Sequence, residues 1–201
     1  MSDQLTSLTP EQGQVLLRLA RQTLNKKLGR SQTSKEKDTG FDTRLDDPAL
    51  QQSSGVFVTL KINSNLRGCI GTLSGHAPLV QEVRTYALHA AFDDPRFGPL
   101  TAEELERVTI EVSVLTQPQP LEYEDVQDLK DKLRPGVDGV TIRKGFASAT
   151  FLPQVWEQLP TTADFLSHLC IKAGLAADEW RHGGLEVETY QVQYFEEPHG
   201  S

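Results

Sequence analysis

The stretch GVFVTLKINSNLRGCIGTL, Gly55 to Leu73, decides how this chain is read. Val56, Val58, Leu60 and Ile62 alternate with Phe57, Thr59 and Lys61, the period of a strand with one buried face. Asn63-Ser64-Asn65 is turn chemistry, so Leu66 to Leu73 is expected to return as the second arm of a hairpin. That arm is not built for packing alone. Two glycines flank Cys69, and Arg67 stands two places before it, where a packing strand carries Val, Ile or Phe. In an extended strand Arg67 and Cys69 share a face, about 6–7 Å apart along the chain. A guanidinium that close favours the thiolate. Gly68 and Gly71 remove side-chain cover and open the main chain to a ligand. The competing reading is a bulge or close packing contact at the glycines, with Cys69 a small buried hydrophobe.

Upstream, Thr9 is placed to cap a helix with Pro10 at its first position and Gln12 three after the cap. Val15, Leu16, Leu19, Leu24 and Leu28 recur at helical spacing before Gly29. Arg30 to Thr43 is polar and aperiodic, which reads as an exposed loop. Downstream, a helix is expected from about Pro78 to Ala91. DDPRFGP then reads as a loop, TAEELER as a short helix and VTIEVSVL as a strand.

The second half repeats this order. DGVTIRKGFASATFL reads as a hairpin, PQVWEQL as a short helix, TADFLSHLCIKAGL as a longer one and LEVETYQVQYF as a final strand. Pro78, Val80 and Glu82 recur 75 positions on as Pro153, Val155 and Glu157; Leu100, Ala102, Glu104, Glu111 and Val112 recur as Leu175, Ala177, Glu179, Glu186 and Val187. We read an α+β fold made by internal duplication of a three-strand, two-helix unit. The expected product is one barrel-like, mainly antiparallel sheet with outer helices. In residue numbers this is a single domain over 1–201: an N-terminal helix (1–29) packing on as an addition, loop and linker (30–54), a first half-unit (55–117) and a second (118–201). A cleft where the halves meet is the expected ligand position.

In VTIEVSVL, Ile110, Val112 and Val114 are expected to face the core, which leaves Glu111 on the other face as a base or ligand anchor for Cys69. Its alternative is a structural ion pair with an arginine. His76, in the loop after the hairpin, is the histidine nearest in sequence to Cys69 and a candidate ligand contact. Pairs at helical spacing, His89 with Asp93 and Asp164 with His168, lack the third ligand a metal needs, so no metal is assigned. Arg96 is placed to offset Asp93 and Asp94 at a helix end, which argues for an ordered loop. Cys170, Trp156, Trp180 and Phe165 read as core.

Two widely separated cysteines in 201 residues are no disulfide framework, and a cytoplasmic setting is the simplest reading. The start lacks a signal-peptide pattern, and no apolar run reaches the length of a membrane span. The net charge is −8, yet Arg18 to Arg44 holds eight basic and three acidic residues. The acidic remainder repels phosphate backbones and argues against nucleic acid as a partner. The basic section is read as a solvated helix face and loop, with docking of an acidic partner as the alternative.

LRGCIGTL, AFDDPRFGPLTAEEL, IEVSVL, TFLPQVW and the FL…LC.KAGL…W segment together resemble the AMMECR family, whose microbial members are called AmmeMemoRadiSam system protein A. The resemblance runs from about Gly55 to Glu196, with the signature LRGCIG intact at Leu66 to Gly71. FASATFL departs from the family, where many members carry an arginine-glycine pair before the TFLP segment. The resemblance implies a duplicated α+β unit around a barrel-like sheet, with the hexapeptide near a cleft. It implies association with a radical-SAM protein and a Memo-like protein in a modification pathway, and carries no cofactor and no established reaction. Two functions are therefore expected. One is a binding or adaptor component for a small molecule or nucleotide, contacted by Arg67, Gly68, Gly71 and His76. The other is a cysteine-dependent enzyme using Cys69, Arg67 and Glu111.

Overall fold

Thr9 opens the first helix as its sequence demands. In the computed structural model, which describes residues 7–30 and 41–198, the Gln12 N–H donates to the Thr9 hydroxyl and the Thr9 N–H donates to the Gln12 side chain. Helix α1 (Pro10–Lys27) follows, and Gly29, at φ +67°, turns the chain out of it. The loop expected over Arg30 to Thr43 lies mostly outside the described residues. Its end is a short helix, α2 (Phe41–Leu45), with Phe41 and Leu45 buried.

The chain divides into two units, Met1–Gln117 with Gln193–Ser201, and Pro118–Val192. In the first, β1 (Val56–Ile62) and β2 (Asn65–Thr72) form the hairpin. Asn63 and Ser64 both take positive φ, 51° and 63°, as a two-residue turn matched to strand twist requires. Helix α3 (Leu79–Phe92), the short α4 (Ala102–Leu105) and β3 (Val108–Leu115) follow. Thr101 and Glu104 make a reciprocal capping box at α4. Val56, Val58, Leu60, Ile110 and Val112 are fully buried with Leu16, Leu24, Val83 and Ala87. Helix α1 is thus part of the core, packing on α3 and β3, and the expectation that it is an addition is corrected.

The second unit contains β4 (Gln119–Pro120), α5 (Val126–Lys132), β5 (Gly139–Lys144), β6 (Ala147–Phe151), a 3-10 turn (Pro153–Glu157), α6 (Thr162–Lys172), a second such turn (Glu179–Arg181) and β7 (Glu186–Tyr190). Its own core gathers Leu129, Val140, Ile142, Phe165, Leu169 and Cys170 around Trp156, which stacks on Phe165 at 3.7 Å between ring centroids. The Trp156 indole N–H donates to the Asp138 carbonyl at 2.7 Å, so the buried ring leaves no polar atom unpaired.

The last strand is β8 (Val192–Glu196). The sequence reads one strand from Leu185 to Phe195; the chain instead breaks at Gln191, because β7 pairs with β5 while β8 joins the sheet of β3. Phe195 explains the break. Its ring lies where any side chain on Gly13 of α1 would stand, 2.0 Å from the ideal Cβ, so it is seated in the first unit's core. Arg21 of α1 closes this end by pairing with Glu197 and donating to the Leu105 and Val108 carbonyls.

The strands form two four-stranded antiparallel sheets, ordered β2-β1-β3-β8 and β4-β7-β5-β6. This corrects the expectation of one barrel-like sheet: each sheet closes over its own apolar cluster, and neither closes on itself. The 75-residue offset also changes meaning along the chain. Pro78 precedes the fourteen-residue α3, whereas Pro153 begins a 3-10 turn and α6 starts later. Among the described residues, no helix is long and apolar enough to cross a membrane.

Candidate functional site around Cys69

Pairing of β2 with β1 slips by one residue at Arg67. Leu66 stands opposite Lys61 and Gly68 opposite Leu60, which leaves Arg67 as the extra residue of a bulge. Without the bulge Arg67 would sit against Leu60 on the buried face, where an unpaired guanidinium is costly. The bulge gives that place to Gly68, whose added Cβ would come within 2.1 Å of the Ala90 carbonyl oxygen of α3. Gly71 is likewise tight, 2.2 Å from the Val56 oxygen and 2.5 Å from the Phe57 ring by the same measure. Both glycines therefore have a packing reason.

The displaced Arg67 turns to α4. Its Nε donates to Glu104 Oε1 at 2.9 Å and its Nη2 to Oε2 at 3.0 Å, and Nη2 also donates to the Gly98 carbonyl at 2.9 Å. This fork-to-fork pair, with the Thr101 N–H behind it, pulls the Glu104 carboxyl down to about 2. The expected projection of Arg67 and Cys69 together is thus corrected, since the bulge commits the guanidinium to Glu104.

Cys69 is opposite Thr59, on the face away from the buried valines. It is half-buried, and its Sγ accepts from the Thr59 hydroxyl at 3.2 Å. Its main chain is gripped from outside the sheet, since β2 is an edge strand. The Cys69 N–H donates to Asp94 Oδ2 at 2.8 Å, and Arg96 Nη2 donates to the Cys69 carbonyl at 3.2 Å. Arg96 also binds Asp94 through Nε at 2.9 Å and Nη2 at 2.7 Å. Asp94 is 2% exposed. The Arg96 guanidinium, despite the opposing cost of burial and aided by the Cys69 N–H, holds its carboxyl far below the usual carboxylate range. An acceptor and a donor on the loop thus occupy the places a neighbouring strand would take. The ordered loop expected from Arg96 and Asp94 is built this way.

Thr59 also stands opposite Glu111. Cys69, Thr59 and Glu111 therefore make one cross-strand row, with Cys69 and Glu111 two strand spacings apart, roughly 10 Å. Glu111 accepts from Lys61 Nζ at 2.8 Å, and Lys61 also reaches Glu196 at 2.9 Å. Partial burial pulls the Lys61 ammonium down, but the two carboxylates outweigh it and raise it above its ordinary value. The structural partner of Glu111 is a lysine and not the arginine considered from sequence. His76 is exposed, with its main-chain N–H donating to the buried Glu82 at 2.8 Å. His89 and Asp93 lie 4.0 Å apart; among the described residues no group of three His, Cys, Asp or Glu is placed to hold a metal.

Sequence reasoning missed Thr59, Lys61 and Glu104 as site components and read Asp94 and Arg96 only as a helix-end loop. The TAEE capping box was a signal for a fixed Glu104. Nothing local marks Thr59 and Lys61, which join the site through strand register alone.

The architecture is that of an α+β protein with two antiparallel sheets and an edge strand clamped around a cysteine. Residues 17–195 match the AMMECR1 family model. The chain is 39% identical to a protein of Thermofilum pendens, over 94% of this chain and 92% of that protein. It is 38% identical to one of Methanothermobacter thermautotrophicus, over 94% and 96%. A crystal structure of the uncharacterised protein PH0010 from Pyrococcus horikoshii is similar at a TM-score of 0.75 and 35% identity, over 96% of this chain and 94% of that one. This chain belongs to the AMMECR1 family. The matched span starts within α1, in keeping with the place of that helix in the core.

Proposed function

We propose that this chain is the ligand-binding or adaptor component of a modification pathway, with the Cys69 face of the first sheet as its site. The ligand is a small molecule or nucleotide. The observation that carries the reading is the grip of Asp94 and Arg96 on both main-chain groups of Cys69, which holds a half-exposed thiol on a rigid strand. Lys61 and Glu111 supply paired charges for recognition on the same face. Arg67 acts as a positioning residue by fixing the bulge, Gly68 and Gly71 keep the strand close to its neighbours, and His76 offers an exposed imidazole at the margin. Family resemblance supplies the partners, a radical-SAM protein and a Memo-like protein. The free Cys69 and Cys170 accord with a reducing, cytoplasmic setting. Descent from a duplicated unit is supported by the shared order of β2-β1-β3 and β6-β5-β7.

A second reading, a cysteine-dependent enzyme, draws on the Thr59 hydrogen bond to Sγ, which orients the sulfur on the face shared with Glu111. There Cys69 is the nucleophile, Glu111 the base or anchor, and Arg67 the residue that fixes the strand. Cys69→Ser and Glu111→Gln variants separate the two. Thermal shifts with a panel of nucleotides and small acids report binding, and turnover by the reconstituted pathway reports chemistry. Ligand-induced stabilisation lost in Glu111→Gln, with turnover kept in Cys69→Ser, supports the binding component. Turnover abolished in Cys69→Ser while the ligand still binds overturns it in favour of the enzyme.

A further inference from the structure

We infer that the groove between α1 and α3 is a docking site for an acidic, leucine-bearing peptide segment of a partner protein. The groove has a volume of about 1020 Å³, at the top of the range for small-molecule pockets (about 300–1,000 Å³). Its cations are Lys26, Lys27 and Arg30 from the end of α1 and Arg84 from α3, and among the described residues no carboxylate lines it. That composition is against the trend of a chain carrying −8. Arg30 is anchored, donating to the Ala102 carbonyl at 2.7 Å and to Glu106 at 2.6 Å. Lys26, Lys27 and Arg84 are exposed and make no hydrogen bond or ion pair among the described residues.

The dipole of α1 accounts for Lys26 and Lys27, which stand in its last turn. It does not account for Arg84, which faces the same groove from the other helix. Three cations from two elements, without partners among the described residues, make a positive field that attracts anions. The chemistry of the groove also chooses among anions. A phosphate site of the helix-terminal kind is built from converging main-chain N–H groups, whereas this end of α1 presents carbonyl oxygens. Long, separately mobile Lys and Arg side chains suit carboxylates spread along a chain. Half-buried Leu88, backed by core residue Leu19, supplies the apolar contact for the other side of such a segment. These residues are separate from the Cys69 row, so the inference stands or falls independently of the proposed function.

The test uses the full chain and a fluorescein-labelled peptide of about a dozen Asp, Glu and Leu residues in amphipathic order. Anisotropy is expected to show binding that weakens at least about tenfold between low and high salt. The Lys26→Glu/Lys27→Glu/Arg84→Glu variant should lose at least about tenfold in affinity, and the matching Gln variant an intermediate amount, with unchanged circular dichroism. Any of three results overturns the proposal: no binding to the wild type, equal binding to both variants, or equal binding of a peptide whose leucines are replaced by serine. The last would reduce the groove to a non-specific anion patch.

Discussion

The two hairpins share a strand order and differ in how their outer edges are finished. On β2 a carboxylate and a guanidinium take both main-chain groups of Cys69. On β6 a lysine suffices: Lys172 donates to the Thr150 carbonyl at 2.9 Å and lies over the Phe151 ring at 5.0 Å. The β6 hydroxyls and those of its neighbours bind one another, Thr150 with Thr141 at 3.0 Å and with Tyr190 at 3.0 Å. An edge needs only modest cover against unwanted pairing. The first hairpin has far more, including a nearly buried carboxylate, and a charge is costly to bury. The excess falls on the residue that carries a half-exposed thiol.

The widest predicted gap between the hairpins comes from removing their edge caps. Asp94→Ala leaves the Cys69 N–H and one face of Arg96 without a partner and should lower unfolding stability by about 3 kcal/mol in urea titrations. Lys172→Ala, the corresponding loss on β6, should cost at most about 0.5 kcal/mol because that lysine is exposed. A result near equality would show that the clamp contributes no more than ordinary edge cover.

Glycine substitution gives the next largest contrast. Gly68→Ala must push β2 from the Ala90 carbonyl and should cost about 2 kcal/mol. Gly145→Ala, in the turn of the second hairpin, meets no atom within 4 Å but sits at φ +59°, so its cost is conformational, about 1 kcal/mol. Thermal unfolding of the pair measures both.

Glu104 predicts a pH dependence. Its folded carboxyl lies at about 2 against an ordinary 4.5. A depressed carboxyl stabilises the fold above its unfolded value and loses that contribution as pH falls through the folded one. Wild type should therefore exceed Glu104→Gln by about 1 kcal/mol at pH 7, after discounting for solvent screening. The two curves should converge between about pH 4.5 and 2. The smallest perturbation is chemical: iodoacetamide should label half-buried Cys69 in the folded protein and leave Cys170 intact. Cys170 is fully buried, and its thiol is pushed up by that burial. Mass spectrometry reads the outcome directly.

Much of this architecture is legible from local chemistry. The Thr9 and Thr101 boxes, the Asn63-Ser64 turn and the alternation in β1 and β3 are each set by residues within seven positions of one another. What escapes depends on distant neighbours. The bulge at Arg67 follows from the demand of α3 for a glycine beneath Ala90, and no property of LRGCIG alone reports that demand. The run from Leu185 to Phe195 reads as one strand, but its alternation changes phase, from Leu185 and Val187 to Tyr190, Val192 and Tyr194, and its two halves answer to different sheets. The site divides the same way. Cys69 and Glu111 stand out by residue type, whereas Thr59, Lys61, Asp94 and Arg96 gain their roles from register and from a loop 25 residues on.

The return of β8 to the first sheet has a consequence for synthesis. The second unit is one uninterrupted segment, Pro118–Val192, inserted between the bulk of the first unit and its closing strand. A polypeptide leaving the ribosome from its amino end therefore delivers every residue of the second unit before Phe195 emerges to cover Gly13. The older part of the chain must wait for the younger to be completed before its own sheet has all four members.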